Sequence, residues 1–450
     1  MPDTVRLLTA WGATLAYGGL CAAVYLRHRR RQRIAVAPLG DGGRPVLVAY
    51  ASQSGSAEAL AQHTARSLGA AGLNTTLVPL NRVTPALLAA HEQALFLVST
   101  CGEGDAPDNG ALFERHCMAD AGPDLSRLHV GVLALGDREY THFCAFGRRL
   151  AAWLEARGAV PLFAPLEMDN QDANALAAWQ QQVAHIAGSG ETPDWRAPAF
   201  TPWRLLERRH LNPGSSGAPV FHLALAPEHG PLPEWQAGDL VQVQPPEAGE
   251  HPRDYSIASL PADGALHLLV RLQARPDGTP GLASGHLCKD LEVGRSVALR
   301  LKPHANFRLG DNAGRPLILI GNGTGIAGLR ALLKAREARG DKRNWLIFGE
   351  RHAGPDRHYR EDLARWRNNG LLPWLDLVFS REQAAKDYVQ HRLAQRGDVL
   401  QDWLDEGAAV YVCGSAATMG AAVDETLAQL LGREALDRLL AEGRYRRDVY

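Results

Sequence analysis

Short apolar segments recur along the first half of the chain and predict buried strands. Three of them have the length of a strand, at Val46–Tyr50, Ala94–Thr100 and Val130–Leu135. Ala57–Leu68, which follows the first segment, is predicted to be a helix. Strands that alternate with helices are typical of a parallel, doubly wound sheet. The pattern therefore predicts an α/β domain over residues 45–187.

The pattern changes in the second half of the chain. Residues 203–308 are predicted to form short strands at close spacing, with turns such as Asn212-Pro213-Gly214, and this favours an antiparallel β-barrel. Residues 309–450 return to apolar runs, including Pro316–Ile320, and predict a second α/β domain. Residues 188–202 contain three prolines and no periodicity, so they are predicted to be a linker.

The N-terminal segment has the pattern of a membrane anchor. Leu7–Leu26 is an uncharged run of 20 residues, and Arg27–Arg33 follows it directly. Twenty helical residues span about 30 Å, the thickness of a bilayer core. A cleaved signal peptide and a soluble amphipathic helix are the alternatives, but a signal peptide carries its charge before the apolar run. Residues 1–34 are therefore predicted to cross the inner membrane once, with the remaining domains in the cytoplasm.

Composition and charge narrow the class of protein. The chain has 450 residues, 46% hydrophobic and 22% charged, which excludes a disordered chain and a polytopic membrane protein. The net charge of −1 gives no basic field for nucleic acid, although residues 1–45 sum to +5 and residues 46–190 to −6. The six cysteines show neither a C-x-x-C motif nor clustering with histidine, so no metal site is predicted.

The loops after the three predicted strands carry candidate chemistry. Ser52–Ser56 is a hydroxyl-rich loop between a strand and a helix, a geometry that suits a phosphate, although an ordinary turn explains the segment alone equally well. It lacks the glycines and lysine of a nucleotide-triphosphate loop. Glycines follow the second and third strands, and Tyr140 could stack on a flat ring. Because the carboxyl ends of parallel strands meet at one edge, the loops are expected to converge.

These loops resemble the FMN loops of the flavodoxin-like domain of diflavin reductases. The resemblance rests on Ser52–Glu58, Ser99–Asp105 and Leu135–Asp137 with Tyr140. It implies that the FMN phosphate is held by Ser52, Gln53, Ser54, Ser56 and Ala57. It also implies that the isoalloxazine is bordered by Thr100, Gly102, Leu135 and Gly136, stacked on by Tyr140 and approached by Asp169. Cys101 stands where many relatives have an aromatic residue, which leaves the second stacking face open.

The second half resembles ferredoxin–NADP reductases at several motifs. Arg253–Ser259 and Gly281–Ser284 are similar to their FAD site. The resemblance implies that the flavin is contacted by Arg253, Tyr255 and Ser256, and its pyrophosphate by Gly281, Ala283 and Ser284. The glycine-rich turn Gly321–Arg330 resembles the NADP(H) loop, with Gly323 and Thr324 as ligands and Gly328 in place of the usual proline.

The same resemblance implies the groups that recognise NADPH and surround the hydride path. A 2′-phosphate wants basic and hydroxyl donors, and the candidates are Ser380, Arg381, Lys386, Tyr388 and Gln390. Tyr450 is implied to cover the FAD ring. Ser256, Cys413 and Asp448 are implied to line the path of the hydride.

Over about residues 45–450, the sequence is identified as a member of the diflavin reductase family, and it is most similar at its C-terminal end to the bacterial sulfite reductase flavoproteins. About ten residues separate Val243 from Arg253, which leaves no room for the connecting domain of larger relatives. The resemblance implies electron transfer from NADPH through FAD and FMN to a one-electron acceptor, such as a haemoprotein docking on the acidic FMN domain. The alternatives are a membrane-associated ferric-chelate or quinone reductase and a non-catalytic flavin-binding sensor or scaffold.

Overall fold

The computed structural model describes residues 45–102, 104–119, 122–189, 195, 198–247, 251–275 and 277–450. This part of the chain forms two compact units. As far as they are described, the first unit contains residues 45–51, 57–100 and 113–195, and the second contains residues 52–56, 101–112 and 198–450.

The first unit is built on a parallel sheet in the order β2-β1-β3-β4-β5, with β6 also paired to β4. Its strands are β1 (Val46–Ala51), β2 (Thr75–Pro79), β3 (Gln93–Ser99), β4 (His129–Gly136), β5 (Val160–Pro161) and β6 (Leu166–Asp169). Its helices are α1 (Ser56–Ala70), α2 (Pro85–Ala89), α4 (Ala145–Ala156) and α5 (Ala173–Ile186), and the short α3 (Ala111–Phe113) lies at the boundary of the units. The strand order reverses between β1 and β3, and ligands bind at such a switch point in open α/β sheets.

Close contacts of helices with the sheet keep the first unit's strand ends in place. Gly147 of α4 lies so close to β4 that a Cβ there would be 2.3 Å from the Cβ of Ala134. The indole Nε1 of the buried Trp179 donates to Oγ1 of Thr64 at 3.0 Å, which joins α5 to α1. The buried indole N–H of Trp179 is therefore paired, as buried polar groups usually are.

The second unit begins with an antiparallel sheet in the order β10-β9-β12-β7-β8-β11. Its strands are β7 (Thr201–His210), β8 (Val220–Pro227), β9 (Leu240–Val243), β10 (Arg253–Ser256), β11 (Leu266–Arg271) and β12 (Ser296–Lys302), and the short helix α6 (Leu282–Gly285) follows β11. A bridge between Ile257 and Leu268 joins the β10 and β11 ends of the sheet. The predicted barrel is therefore present and closes at this bridge.

The second unit continues with a parallel sheet in the order β15-β14-β13-β16-β17. Its strands are β13 (Leu317–Asn322), β14 (Asn344–Glu350), β15 (Trp374–Phe379), β16 (Ala409–Gly414) and β17 (Tyr445–Val449). Its helices are α7 (Ile326–Arg339), α8 (Arg360–Asn368), α9 (Val389–Gln395), α10 (Gly397–Asp405), α11 (Ala421–Leu431) and α12 (Arg433–Ala441). Both α/β regions predicted from the apolar runs are thus confirmed.

The predicted linker at residues 188–202 is shorter than expected. Trp195 is buried, and its indole Nε1 donates to Oγ of Ser67 at 3.1 Å, so Trp195 belongs to the first unit. At the other end, β7 already begins at Thr201. The proline-rich composition gave no indication that Trp195 is buried, because its hydrogen-bond partner lies 128 residues away in the chain.

The predicted membrane anchor at residues 1–34 lies outside the described residues. Within the part of the chain that the structure describes, no helix is long and apolar enough to span a bilayer.

Candidate cofactor sites

In the first unit, the predicted ring-binding residues follow the carboxyl ends of β3 and β4. Thr100 Oγ1 accepts a hydrogen bond from the backbone N–H of Phe146 at 3.2 Å, which fixes it beside α4. Gly136 is required at its position, because a Cβ would lie 2.8 Å from the backbone nitrogen of Cys144. Leu135 is buried, whereas 54% of Tyr140 is exposed. An aromatic ring of this exposure suits stacking on a flat ligand.

Asp169 lies beside the same loop. Its Oδ1 accepts from the backbone N–H of Arg138 at 3.1 Å, and Oδ2 lies 3.4 Å from the Arg138 guanidinium. The carboxylate thus orients the turn that carries Tyr140.

The predicted phosphate loop, Ser52–Ser56, belongs to the second unit together with Cys101–Leu112. The backbone N–H of Ser52 donates to Oδ1 of Asn109 at 2.8 Å, and the N–H of Asp108 donates to Oε1 of Gln53 at 3.0 Å. Gln53 and Asn109 therefore shape the loop by joining it to a second one. Positive φ angles at Gly55 (85°) and Gly102 (46°) allow both loops to turn tightly.

The structure also places a cation near this loop that sequence reasoning missed. Lys302 Nζ lies 2.9 Å from Oγ of Ser54 and 2.6 Å from a carboxylate oxygen of Asp254. His304 Nε2 lies 2.8 Å from the carbonyl oxygen of Gln53. A hydroxyl loop with an ammonium group beside it has donors that suit a phosphate.

The predicted FAD residues lie on β10 and at the start of α6. Burial raises the pKa of Tyr255 well above its usual range, so its phenol stays neutral. Ser284 is buried, and its Oγ accepts from the N–H of Gln273 at 3.1 Å. A Cβ on Gly281 would lie 3.0 Å from that oxygen. Ser284 thus shapes the turn around Ala283, the turn that the sequence predicted to hold a pyrophosphate.

Three predicted residues from distant parts of the chain meet in one hydrogen-bonded group. Ser256 Oγ donates to Oδ2 of Asp448 at 2.7 Å, and Cys413 Sγ lies 3.6 Å from the same oxygen. Cys413 is fully buried, and its burial together with the charge of Asp448 raises the pKa of the thiol well above its usual range. Cys413 is therefore a neutral thiol. This state suits a positioning role, whereas a nucleophilic cysteine would need to be a thiolate.

The glycine-rich turn after β13 packs directly against this group. A Cβ on Gly328 would lie 3.4 Å from Cys413 Sγ and 3.7 Å from the Cβ of Ser256. Tyr450 lies at the edge, 56% exposed, with its hydroxyl 3.1 Å from Thr324 Oγ1 and its backbone N–H donating to Gly414 O at 3.0 Å. The backbone of Tyr450 is thus tied down while its ring remains accessible.

A cavity of about 490 Å³ lies at the carboxyl ends of β13, β14 and β15. Of the predicted NADPH residues, the cavity is lined by Gly323, Ser380, Arg381, Tyr388 and Gln390. Thr324 and Lys386 are not among its lining residues, and Lys386 is exposed. Lys386 is therefore placed less favourably for a 2′-phosphate than the sequence suggested.

The same cavity contains an ion pair that the sequence did not indicate. Arg271 Nη2 lies 2.8 Å from Oε1 of the buried Glu350. Gly323, at φ 57°, leaves room for this guanidinium, since a Cβ there would lie 2.8 Å from Arg271 Nη2. The guanidinium and hydroxyl groups fit an anionic dinucleotide, and the tight turn admits its backbone close to the chain.

Comparisons with known proteins agree with this geometry. The flavodoxin family model matches residues 48–179, and the oxidoreductase NAD-binding domain model matches residues 319–425. Three relatives carry the name sulfite reductase (NADPH) flavoprotein alpha-component. The chain is 27% identical to that of Mannheimia succiniciproducens over 90% of both chains, and 28% identical to that of Shewanella sp. over 92% of this chain and 91% of the relative.

The third relative, from Thiocapsa roseopersicina, is 33% identical over 87% of this chain and 84% of its own. The alignment with the Mannheimia protein extends over 537 positions, which exceeds the 450 residues present here, so the relative contains segments that this chain lacks. With this degree of identity over most of both lengths, the chain belongs to the family of the sulfite reductase (NADPH) flavoprotein alpha-components.

Proposed function

We propose that this protein is an NADPH-dependent diflavin reductase that delivers electrons to a one-electron acceptor protein. The observation that carries the proposal is the group formed by Ser256, Cys413 and Asp448 beside the glycine-rich turn. When bound, FAD and FMN supply the redox chemistry, since flavins can accept the two electrons of a hydride together and release them one at a time. The side chains bind, orient and shield the cofactors.

The first unit and the Ser52–Ser56 loop are proposed to hold FMN. The hydroxyls of the loop and the start of the helix that follows it in the chain would bind the phosphate. Tyr140 would cover the ring, and Asp169 holds the turn that carries Tyr140. Cys101, which accompanies this loop, offers no aromatic face of its own.

The second unit is proposed to hold FAD and to bind NADPH as substrate. Tyr255 and Arg253 would contact FAD, and Tyr450 would cover its ring until nicotinamide displaces the phenol. Ser380 and Arg381 would bind the 2′-phosphate in the cavity after β15. The Ser256 hydroxyl donates a hydrogen bond to Asp448 at 2.7 Å, which fixes its hydrogen on the carboxylate and leaves the serine oxygen as an acceptor.

The test is reduction of bound flavin under anaerobic conditions. The purified protein should contain FMN and FAD in equal amounts, and NADPH should bleach their absorbance, whereas NADH should do so far less effectively. A protein that binds both flavins but is not bleached by NADPH would be a sensor or scaffold, and the reductase proposal would be wrong.

The acceptor is proposed to be a haemoprotein that docks on the acidic part of the chain. Residues 46–190 carry a charge of −6, which would accelerate association with a basic surface. NADPH-driven cytochrome c reduction should therefore slow as salt rises from about 0.05 to 0.5 M. A rate independent of salt would refute electrostatic docking. Faster turnover with ferric citrate or a quinone than with any haemoprotein would favour the alternative acceptors.

We further propose that residues 1–34 anchor the protein in the inner membrane with its domains in the cytoplasm. The proposal rests on the 20-residue uncharged run and on the arginines that follow it. The full chain should sediment with membranes after a carbonate wash, and a chain starting at residue 35 should remain in the supernatant. Sedimentation of the shortened chain would refute the anchor.

A further inference from the structure

A second cavity of about 490 Å³ lies in the second unit. It is bounded by strands β7, β8 and β11 and by the helices α7 and α8. It shares no lining residue with the cavity after β15, and none of the residues predicted to bind FMN, FAD or NADPH lines it. The proposed reductase function therefore leaves this cavity without a role.

The charges of the cavity are unbalanced toward the positive. Among its four arginines, Arg209 lies 3.5 Å from Glu207, and Arg330 binds Asp362 at 2.7 Å. Arg357 and Arg360 are exposed and form no ion pair with any residue that the structure describes. The remaining lining carboxylate is Glu361, so two guanidinium groups face one carboxylate.

The wall formed by α8 adds backbone donors. Helix α8 begins after Tyr359, whose φ of 52° is unusual for a residue with a side chain and whose side chain does not cap the helix. The phenol is held instead by His222 Nδ1 at 3.0 Å, and the guanidinium of Arg330 lies 4.5 Å from the ring centre. The start of this nine-residue helix is thus rigid and open, and such a helix start favours an anion.

Buried imidazoles provide an independent sign of a missing partner. His358 is 1% exposed and lines the cavity, and its Nδ1 has no hydrogen-bond partner among the described residues, while Nε2 lies 3.3 Å from Glu350. His267 also lines the cavity, and its Nδ1 is likewise buried without a hydrogen-bond partner among the described residues. Buried nitrogen atoms without partners are uncommon, and a bound ligand or water is the usual explanation.

From these features we propose that the cavity binds a small organic anion through a carboxylate or phosphate group. Arg357, Arg360 and the start of α8 would hold the anionic group, and the imidazoles would offer single N–H groups to the rest of the ligand. Burial lowers the pKa of His222 to about 3 and also lowers that of His267, so these rings are neutral donors and acceptors near pH 7. A volume of about 490 Å³ is typical of an organic ligand and larger than an inorganic oxyanion needs.

The test is calorimetry on the flavin-loaded protein with citrate and glycerol 3-phosphate as separate probes. The NADPH site is kept saturated with 2′,5′-ADP, and the buffer contains no phosphate. We expect saturable binding of at least one probe with one site per chain. The double substitution Arg357→Gln/Arg360→Gln should weaken the binding of that probe at least about tenfold, because losing even one charge-assisted hydrogen bond has an effect of this size.

The matched control is Arg204→Gln, an exposed arginine on β7 outside the cavity. It should leave binding unchanged, and both variants should keep normal NADPH-driven flavin reduction. Binding of neither probe, or equal binding by the double variant and the wild type, would overturn the proposal. Because flavin reduction is measured on the same samples, its failure would be visible separately.

Discussion

The substitution Gly325→Ala should disable the NADPH side of the protein through backbone overlap. Gly325 follows β13 in the glycine-rich turn. An alanine Cβ there would lie 2.0 Å from the carbonyl oxygen of Cys413, 2.5 Å from its carbonyl carbon and 2.8 Å from the nitrogen of Gly414. All three are backbone atoms, so no side-chain rotation can relieve the overlap. Cys413, which contributes two of them, is paired with Gly321 where β16 joins β13.

The size of the effect follows from these distances. Unstrained contacts need roughly 3.5 Å, so the turn must move by more than about 1 Å. Overpacking of this kind costs about 1–3 kcal/mol of folding free energy. The same displacement separates Gly328 from Cys413 and Ser256, and a misplacement of about 1 Å in a reacting site can reduce the rate about 100-fold.

The assay is stopped-flow reduction of bound flavin by NADPH, together with the thermal unfolding midpoint. The flavins of Gly325→Ala should stay with the protein through gel filtration, which would show that they remain bound, and dithionite should still reduce them. Gly314→Ala is the matched control, since no atom lies within 4 Å of its Cβ position and its φ is not positive. If Gly325→Ala reduced flavin at the wild-type rate with an unchanged midpoint, the packing argument would be wrong.

Three further predictions concern the hydride group, cofactor choice and acid stability. Asp448→Asn removes the charged group that accepts the hydrogen bond from Ser256 at 2.7 Å. Because such a hydrogen bond contributes about 1.5–3 kcal/mol, flavin reduction by NADPH should slow at least about tenfold. NADPH binding, measured by calorimetry, should change little. Arg381→Ala should raise the KM for NADPH and leave that for NADH unchanged, whereas Lys386→Ala, outside the cavity, should alter neither; equal effects would contradict the placement. Burial lowers the pKa of His222 to about 3 in the folded state, so the unfolded chain binds the proton more readily, and the free energy of unfolding should fall as pH decreases from about 6.5 toward 3. His222→Gln should reduce that slope in urea titrations, and an unchanged slope would show that other groups cause the acid sensitivity.

Much of the fold was predictable from local patterns. The apolar runs that became β1, β3, β4, β13 and β16 are buried on both faces of parallel sheets, and such strands read as continuous hydrophobic segments. The predicted ends differ by one or two residues. The linker was less predictable, because composition records prolines and does not record that Trp195 finds Ser67.

The candidate sites likewise combine local features, which the sequence predicts, with long-range contacts, which it does not. Hydroxyl-rich and glycine-rich turns are local features, because a tight turn or a phosphate loop needs particular residues in sequence. The pairing of Ser256 with Asp448 was implied by family resemblance and could not be derived from spacing, since 192 residues separate them. The approach of Lys302 to Ser54 and of Arg271 to Glu350 had no signal in the sequence.

The sequence by itself therefore determined the alternation of strands and helices, the order of the domains and the residue types of the cofactor loops. Only the tertiary structure decided which charges meet, that Lys386 does not line the cavity after β15 and that a second basic cavity lies beside α8. The physical reason is range. Backbone conformation and burial leave a period of a few residues in the sequence, whereas an ion pair or a cavity depends on side chains brought together from strands and helices far apart in the chain.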